Sequence, residues 1–198
     1  MSSHPIECFM VEPTKTVARY LRRFTIGASS PCPFHLGGHT AEVRIEDGPE
    51  VPGRTPGHYA GSAEHDPSDP RWPAQCDCGY FFLNDDARQL SMYRLYVRAV
   101  PLDPSVAQAP FTLREAPAGA MWYADWFADI WKGPDGHCLM LKLPHGHEWV
   151  IDGPSTHSGP GWTRQGEPPR LTVTPSILVH SQLGDYHGWL RDGFLVDA

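Results

Sequence analysis

Glycine and proline are the strongest constraint in this chain: Gly 19 and Pro 21 together make about a fifth of its 198 residues. Proline fixes φ and lacks a backbone N–H, and glycine loses the most conformational freedom on ordering, so both cut regular elements short. Punctuation this dense excludes long helices, coiled coils and solenoids, and leaves short strands between turns. The material between the turns is rich enough to fold, at 40% hydrophobic and 11% aromatic residues, which sets the chain apart from disordered sequences. Its length suits one generous domain or two small ones. The expected fold is therefore mainly β with short helices, a small α+β protein of short antiparallel strands and long Gly/Pro loops.

A formal net charge of -7 argues against non-specific nucleic-acid binding, because an acidic surface is repelled by phosphates. A local exception is Arg19, Arg22 and Arg23, with Arg44 further on. These residues read as a solvated strand face or as a small anion site. No apolar run approaches the roughly 20 residues that span a bilayer, so no membrane partner is expected. The opening Met1-Ser2-Ser3-His4-Pro5 lacks the basic start and apolar stretch of a signal peptide. The expectation is a soluble protein made inside a cell.

Along the chain, Ile6 to Val11 and Val17 to Ile26 read as strands around a turn at Glu12-Pro13-Thr14, and Ala41 to Ile45 as a half-buried strand. Asp47 to Arg71 is a long polar loop. Tyr80 to Leu83 reads as a strand, Asn84 as the cap of a short helix over Asp85 to Leu90, and Tyr93 to Val100 as another strand. Pro101 to Pro110 is a linker, and Ala116 to Phe127 an aromatic segment with one or two helical turns. Cys138 to Leu143, Glu148 to Ile151, Leu171 to Val173 and Ile177 to Val179 follow as strands, with a polar loop over Asp152 to Pro169. A terminal hairpin turns at Asp192-Gly193. Three segments result: a β-rich zinc-binding subdomain over 1–100, a linker and aromatic segment over 101–131, and a C-terminal β subdomain over 132–198.

Five cysteines in a chain read as intracellular point to metal ligands or buried thiols rather than to disulfides. Cys8 lies in an apolar run and reads as a buried small hydrophobe. Cys32-Pro-Phe-His35-Leu-Gly-Gly-His39 and Cys76-Asp-Cys78-Gly79 together supply thiols and imidazoles from two short loops. Structural zinc takes four such ligands tetrahedrally. The expected zinc ligands are Cys32, His39, Cys76 and Cys78, with His35 as the alternative fourth ligand. The competing reading is reduced thiols and surface histidines in a loop.

His145-Gly-His147-Glu148 superficially resembles a catalytic zinc motif, but Pro144 and Gly146 forbid the helix that would put both histidines on one face. It reads as a hairpin turn with exposed histidines. In Gly184-Asp185-Tyr186-His187-Gly188-Trp189, Asp185 and His187 lie two apart and share a strand face. They make a weak acid/base candidate, with Cys138 a loose nucleophile candidate. The preferred reading is that His187 is a buried, hydrogen-bonded histidine beside Trp189.

Several stretches resemble proteins encoded by tailed bacteriophages and prophages. They include Arg71-Trp72-Pro-Ala-Gln-Cys76-Asp-Cys78-Gly79-Tyr, Ala116-Pro-Ala-Gly119-Ala-Met-Trp122-Tyr-Ala-Asp125-Trp126 and Lys132-Gly-Pro-Asp-Gly136-His-Cys138-Leu. Glu148-Trp149-Val-Ile-Asp152 and the ending Asp185-Tyr-His187-Gly-Trp-Leu-Arg191-Asp-Gly193 continue the resemblance. The C-terminal third also resembles a bacterial domain-of-unknown-function family with a Pro-Ser-Ile strand and a Cys-x-x-His before a hairpin. Pro175-Ser176-Ile177 and His187 match that pattern, while Gly184 stands where the last cysteine would be. The resemblance implies a phage origin and manufacture in the host cytoplasm. Aromatics in long Gly/Pro loops suit protein contacts, so the expected function is a zinc-stabilised, non-enzymatic protein that binds a phage or host protein, in the virion or on a host factor. The alternative function is a small metal-dependent hydrolase with a C-terminal Asp/His site.

Overall fold

The computed structural model describes residues 4–25, 32–35, 38–46, 60–62, 65–83, 86–127, 129–153 and 161–198. Thirteen strands and two 3-10 turns make up the regular structure among these residues, so the described protein is mostly β, as the punctuation requires. The chain divides into two compact units, one of Met1–Thr14 with Tyr96–Ala198, the other of Lys15–Leu95.

In the larger unit, β6 (Ala120–Tyr123), β7 (Leu139–Lys142) and β8 (Glu148–Val150) form antiparallel neighbours. The start of β2 (Phe9–Thr25) pairs parallel to β6, Phe9 opposite Ala120. Side-chain alternation then sorts residues to two faces. Cys8, Met121, Leu139 and Leu141 enter one buried cluster, and Phe9, Trp122, Cys138 and Met140 the other. All four residues of β7 are buried, which explains an uninterrupted apolar run where a one-sided strand would alternate. The buried Lys142 on β7 donates to the Arg114 carbonyl at 2.9 Å and to Glu148 at 3.1 Å.

A second sheet runs β1-β13-β12-β11, from β1 (Ile6–Glu7) through β13 (Phe194–Asp197) and β12 (Tyr186–Arg191) to β11 (Ile177–Val179). The terminal hairpin forms as expected. Arg191 opposes Phe194, and Asp192 and Gly193 adopt φ of 45° and 79°, as a type I′ turn demands. Gly188 on β12 is obligatory, since a Cβ there would lie 2.5 Å from the Val196 carbonyl. Between the sheets in sequence, β9 (Thr163–Glu167) and β10 (Arg170–Thr174) make a hairpin. β10 alternates with Leu171 and Val173 buried.

The smaller unit contains the rest of β2, β3 (Gly38–Glu46), β4 (Ala60–Ser62) and most of β5 (Ala87–Arg98). β2 and β3 pair from Val17 opposite Glu46 to Thr25 opposite Gly38. Ala18, Tyr20, Trp72 and Met92 form its buried hydrophobic cluster.

Several sequence expectations are corrected. Glu12-Pro13-Thr14 is strand and not a turn: it falls between Met10, where the β6 register ends, and Val17, where the β3 register begins. A proline is tolerated where neither of those ladders needs its N–H. The helix expected over Asp85 to Leu90 is replaced by β5, and Asn84 and Asp85 lie outside the described residues. Asp86 accepts a hydrogen bond from the Leu83 N–H and faces Arg22 at 4.0 Å, so its carboxylate serves tertiary contacts rather than a helix terminus. The Tyr80 to Leu83 strand reduces to a bridge between Gln75 and Phe81, because the Cys76–Gly79 turn occupies the neighbouring residues. The polar loop over Asp152 to Pro169 hides β9, whose residues are mostly exposed and so lack an apolar signature. Its residues 154–160 lie outside the described residues. In the 116–127 segment the helical turns give way to strand β6, with 3-10 turns on either side at Leu113–Glu115 and Asp129–Trp131.

Candidate metal centre

The smaller unit brings together the donors the sequence singled out. Cys32 lies between β2 and β3, His39 is the second residue of β3, and Cys76 and Cys78 sit in a tight turn. That turn is built by backbone geometry. The Cys76 N–H donates to the Tyr80 carbonyl at 2.9 Å, the Gly79 N–H to the Cys76 carbonyl at 2.8 Å, and Gly79 adopts φ of 91°. Only glycine takes that conformation without strain. The ligand atoms of Cys32, His39, Cys76 and Cys78 all lie within 4.8 Å of one another.

Finer distances test whether a metal fits. A tetrahedral centre with Zn–S near 2.3 Å places sulfurs about 3.8 Å apart, and Cys32 Sγ and Cys76 Sγ are 3.8 Å apart. The corresponding nitrogen–sulfur edge is about 3.5 Å, against 3.1 Å for His39 Nδ1 to Cys78 Sγ. His35 Nδ1 stands 3.3 Å from Cys32 Sγ and 3.6 Å from Cys76 Sγ, on the edge shared by those two sulfurs. The His39 ring is 3% exposed and stacks on Tyr80 with centroids 4.0 Å apart and planes 1° from parallel. Its Nε2 is buried without a hydrogen-bond partner among the described residues.

The electrostatics match a shared cation site. Burial pushes the Cys32 thiol up, but hydrogen bonds from the Phe34 backbone and from the ring and backbone of His35 outweigh it and bring it down to about 6. Burial likewise opposes ionisation of Cys76, and the backbone N–H groups of Cys78 and Thr40 overcome it. Cys78 is pushed up, by burial first and then by its sulfur neighbours Cys76 and Cys32. The set thus holds Cys32 and Cys76 below the ordinary thiol value and Cys78 above it, and a bound dication would favour the thiolate at all three.

Elsewhere the sequence candidates do not assemble. Cys138 is fully buried and its thiol is pushed up to about 11, by burial first and then by Asp152, so no thiolate nucleophile stands there. Cys8 is buried as expected, with its thiol pushed up to about 12 by desolvation. His187 corrects the sequence reading: it is exposed on β12, with its ring centroid 6.0 Å from that of Trp189. Tyr186, Gly188 and Leu190 take the inward positions, and alternation turns His187 outward. Asp185 is exposed and pairs with His180 at 3.0 Å rather than with His187. His145 is exposed in the β7–β8 turn and His147 is half-buried. No helix among the described residues is long and apolar enough to cross a membrane.

The arginine cluster resolves into separate structural roles. Arg19 donates to Glu42 at 2.7 Å, and Arg44 donates to the same residue at 2.8 Å. Arg22 is 7% exposed and donates to the Leu83 carbonyl at 2.6 Å. It therefore lies inside the unit instead of on a solvated face. Sequence reasoning missed the stacking role of Tyr80; its one signal is its place next to Gly79 in the metal turn. No protein-family model, no curated protein and no solved structure matches this chain.

Proposed function

We propose that this is a zinc-stabilised bacteriophage protein that acts by binding another protein, in the virion or on a host factor. The observation that carries the zinc reading is the convergence of Cys32, His39, Cys76 and Cys78 within 4.8 Å. Four protein donors close a tetrahedral shell, whereas a catalytic zinc keeps a position for water. Bound there, zinc supplies cross-linking between the Cys32–His39 segment and the Cys76–Cys78 turn. Phe34, Phe81 and Leu83 support the binding reading. They flank the ligands in sequence and are 66%, 67% and 58% exposed, and exposed large apolar side chains of this kind serve protein contacts. The phage assignment rests on the sequence resemblance, which also supplies the virion or host partner.

Native mass spectrometry of freshly prepared, reduced protein tests the zinc reading, with one zinc per chain as the expected result. Cys8→Ser should keep that metal. Metal-free reduced protein, or loss of zinc in Cys8→Ser, would overturn the assignment. Finding the protein in purified particles would support a virion role, and its absence would favour a host factor.

A further inference from the structure

We propose that Cys32 and Cys76 form a redox pair in which peroxide exchanges the metal cross-link for a disulfide between the same two loops. The inference rests on the zinc reading for its first state. Its own basis is that their sulfurs stand 3.8 Å apart and that Cys32 is half-exposed. Cys76 and Cys78 are separated by one residue, and a disulfide between them would strain that turn. Cys32 and Cys76 come from segments far apart in sequence, so a bond between them closes no such tight ring.

The chemistry balances with hydrogen peroxide as oxidant. The Cys32 thiolate attacks one peroxide oxygen, the O–O bond breaks, and a sulfenic acid and hydroxide result. The Cys76 thiolate then attacks the Cys32 sulfur, the S–O bond breaks, the S–S bond forms and a second hydroxide leaves. Two solvent protons convert the hydroxides to water. Each sulfur loses one electron and peroxide gains two. Zinc, left with His39 and Cys78, loses half its donors and is released. The disulfide closes the loop between residues 32 and 76, so the oxidised, metal-free protein stays tied where the reduced, metal-free protein is not.

Zinc-loaded protein treated with peroxide provides the test, read by released zinc, by peptide mapping under non-reducing conditions, and by melting temperature. The expected result is near-complete zinc release, a Cys32–Cys76 peptide as the main cross-link, and a melting temperature above that of chelator-treated reduced protein. Dithiothreitol with added zinc should restore the starting state. Mapping is repeated on Cys8→Ser, in which the same cross-link must form. A main cross-link between Cys76 and Cys78, oxidation stopping at sulfinic acid, or zinc retained under peroxide would each overturn the proposal. Reduced protein that carries no zinc before oxidation refutes the zinc reading separately, and mapping its cross-link still decides the cysteine pair.

Discussion

The two units are held together by different means. The larger one carries two buried clusters on opposite faces of β7, with Leu139, Leu141, Leu143, Ile151, Leu171 and Leu190 fully buried. In the smaller one, the described cluster is Ala18, Tyr20, Trp72 and Met92, supplemented by a buried Arg22 and by the four-donor centre. Small folds with thin cores lean on metals or disulfides, and the four-donor centre offers that support here. The difference teaches where each unit is vulnerable. One should fail when its core is cut, the other when its donors are removed.

The largest expected effect is on the donors. Cys76→Ser or Cys78→Ser should lose zinc and soluble yield, because structural zinc contributes on the order of 10 kcal/mol of apparent binding free energy that exists only in the folded state. Zinc analysis and amide exchange over β3 would read this; a variant that kept both metal and protection would break the comparison. Leu141→Ala is the reciprocal cut. It should cost about 2–5 kcal/mol by leaving a cavity, seen in chemical unfolding, with the zinc ratio unchanged.

Alkaline pH should sharpen the contrast with a smaller effect. Burial holds Cys8 protonated in the folded protein, up to about 12 against an ordinary value of 9.0. Above pH 9 the unfolded chain gives up that proton while the folded unit keeps it, so stability must fall as pH rises from 9 towards 12. Unfolding of Cys8→Ala across that range should show a shallower decline; an equal slope would show that Cys8 is not responsible. The smallest effect belongs to His187→Ala. An exposed residue away from any cap or core should change stability by no more than about 0.5 kcal/mol and leave zinc in place. A loss of several degrees in melting temperature would mean that His187 is packed after all.

The strand-rich fold, the terminal hairpin and the donor set were legible because each depends on residue types with one strong local meaning. Asp192-Gly193 is a turn wherever it flanks strands, and two cysteines beside a glycine present thiols at a turn. What was hidden depends on partners distant in the chain. Pro13 reads as a break until β2 is seen to change neighbours there. Asp86 resembles a helix-terminus acid until Arg22 is placed opposite it. β9 has no apolar periodicity because most of its side chains stay in water, and its one partly buried residue, Arg164, pairs with Asp152 and Asp135. His187 looked buried beside Trp189, and the inward glycine at 188 shows why it is not.

The division of labour between metal and core is tested most directly by hydrogen exchange of the reduced protein with and without a zinc chelator. The expected result is that amides of β3, at Gly38–Glu46, lose protection on chelation while those of β7, at Leu139–Lys142, keep theirs. Equal protection in β3 with and without chelator would contradict a metal-held unit, and simultaneous loss in β3 and β7 would contradict the separate dependence of the two.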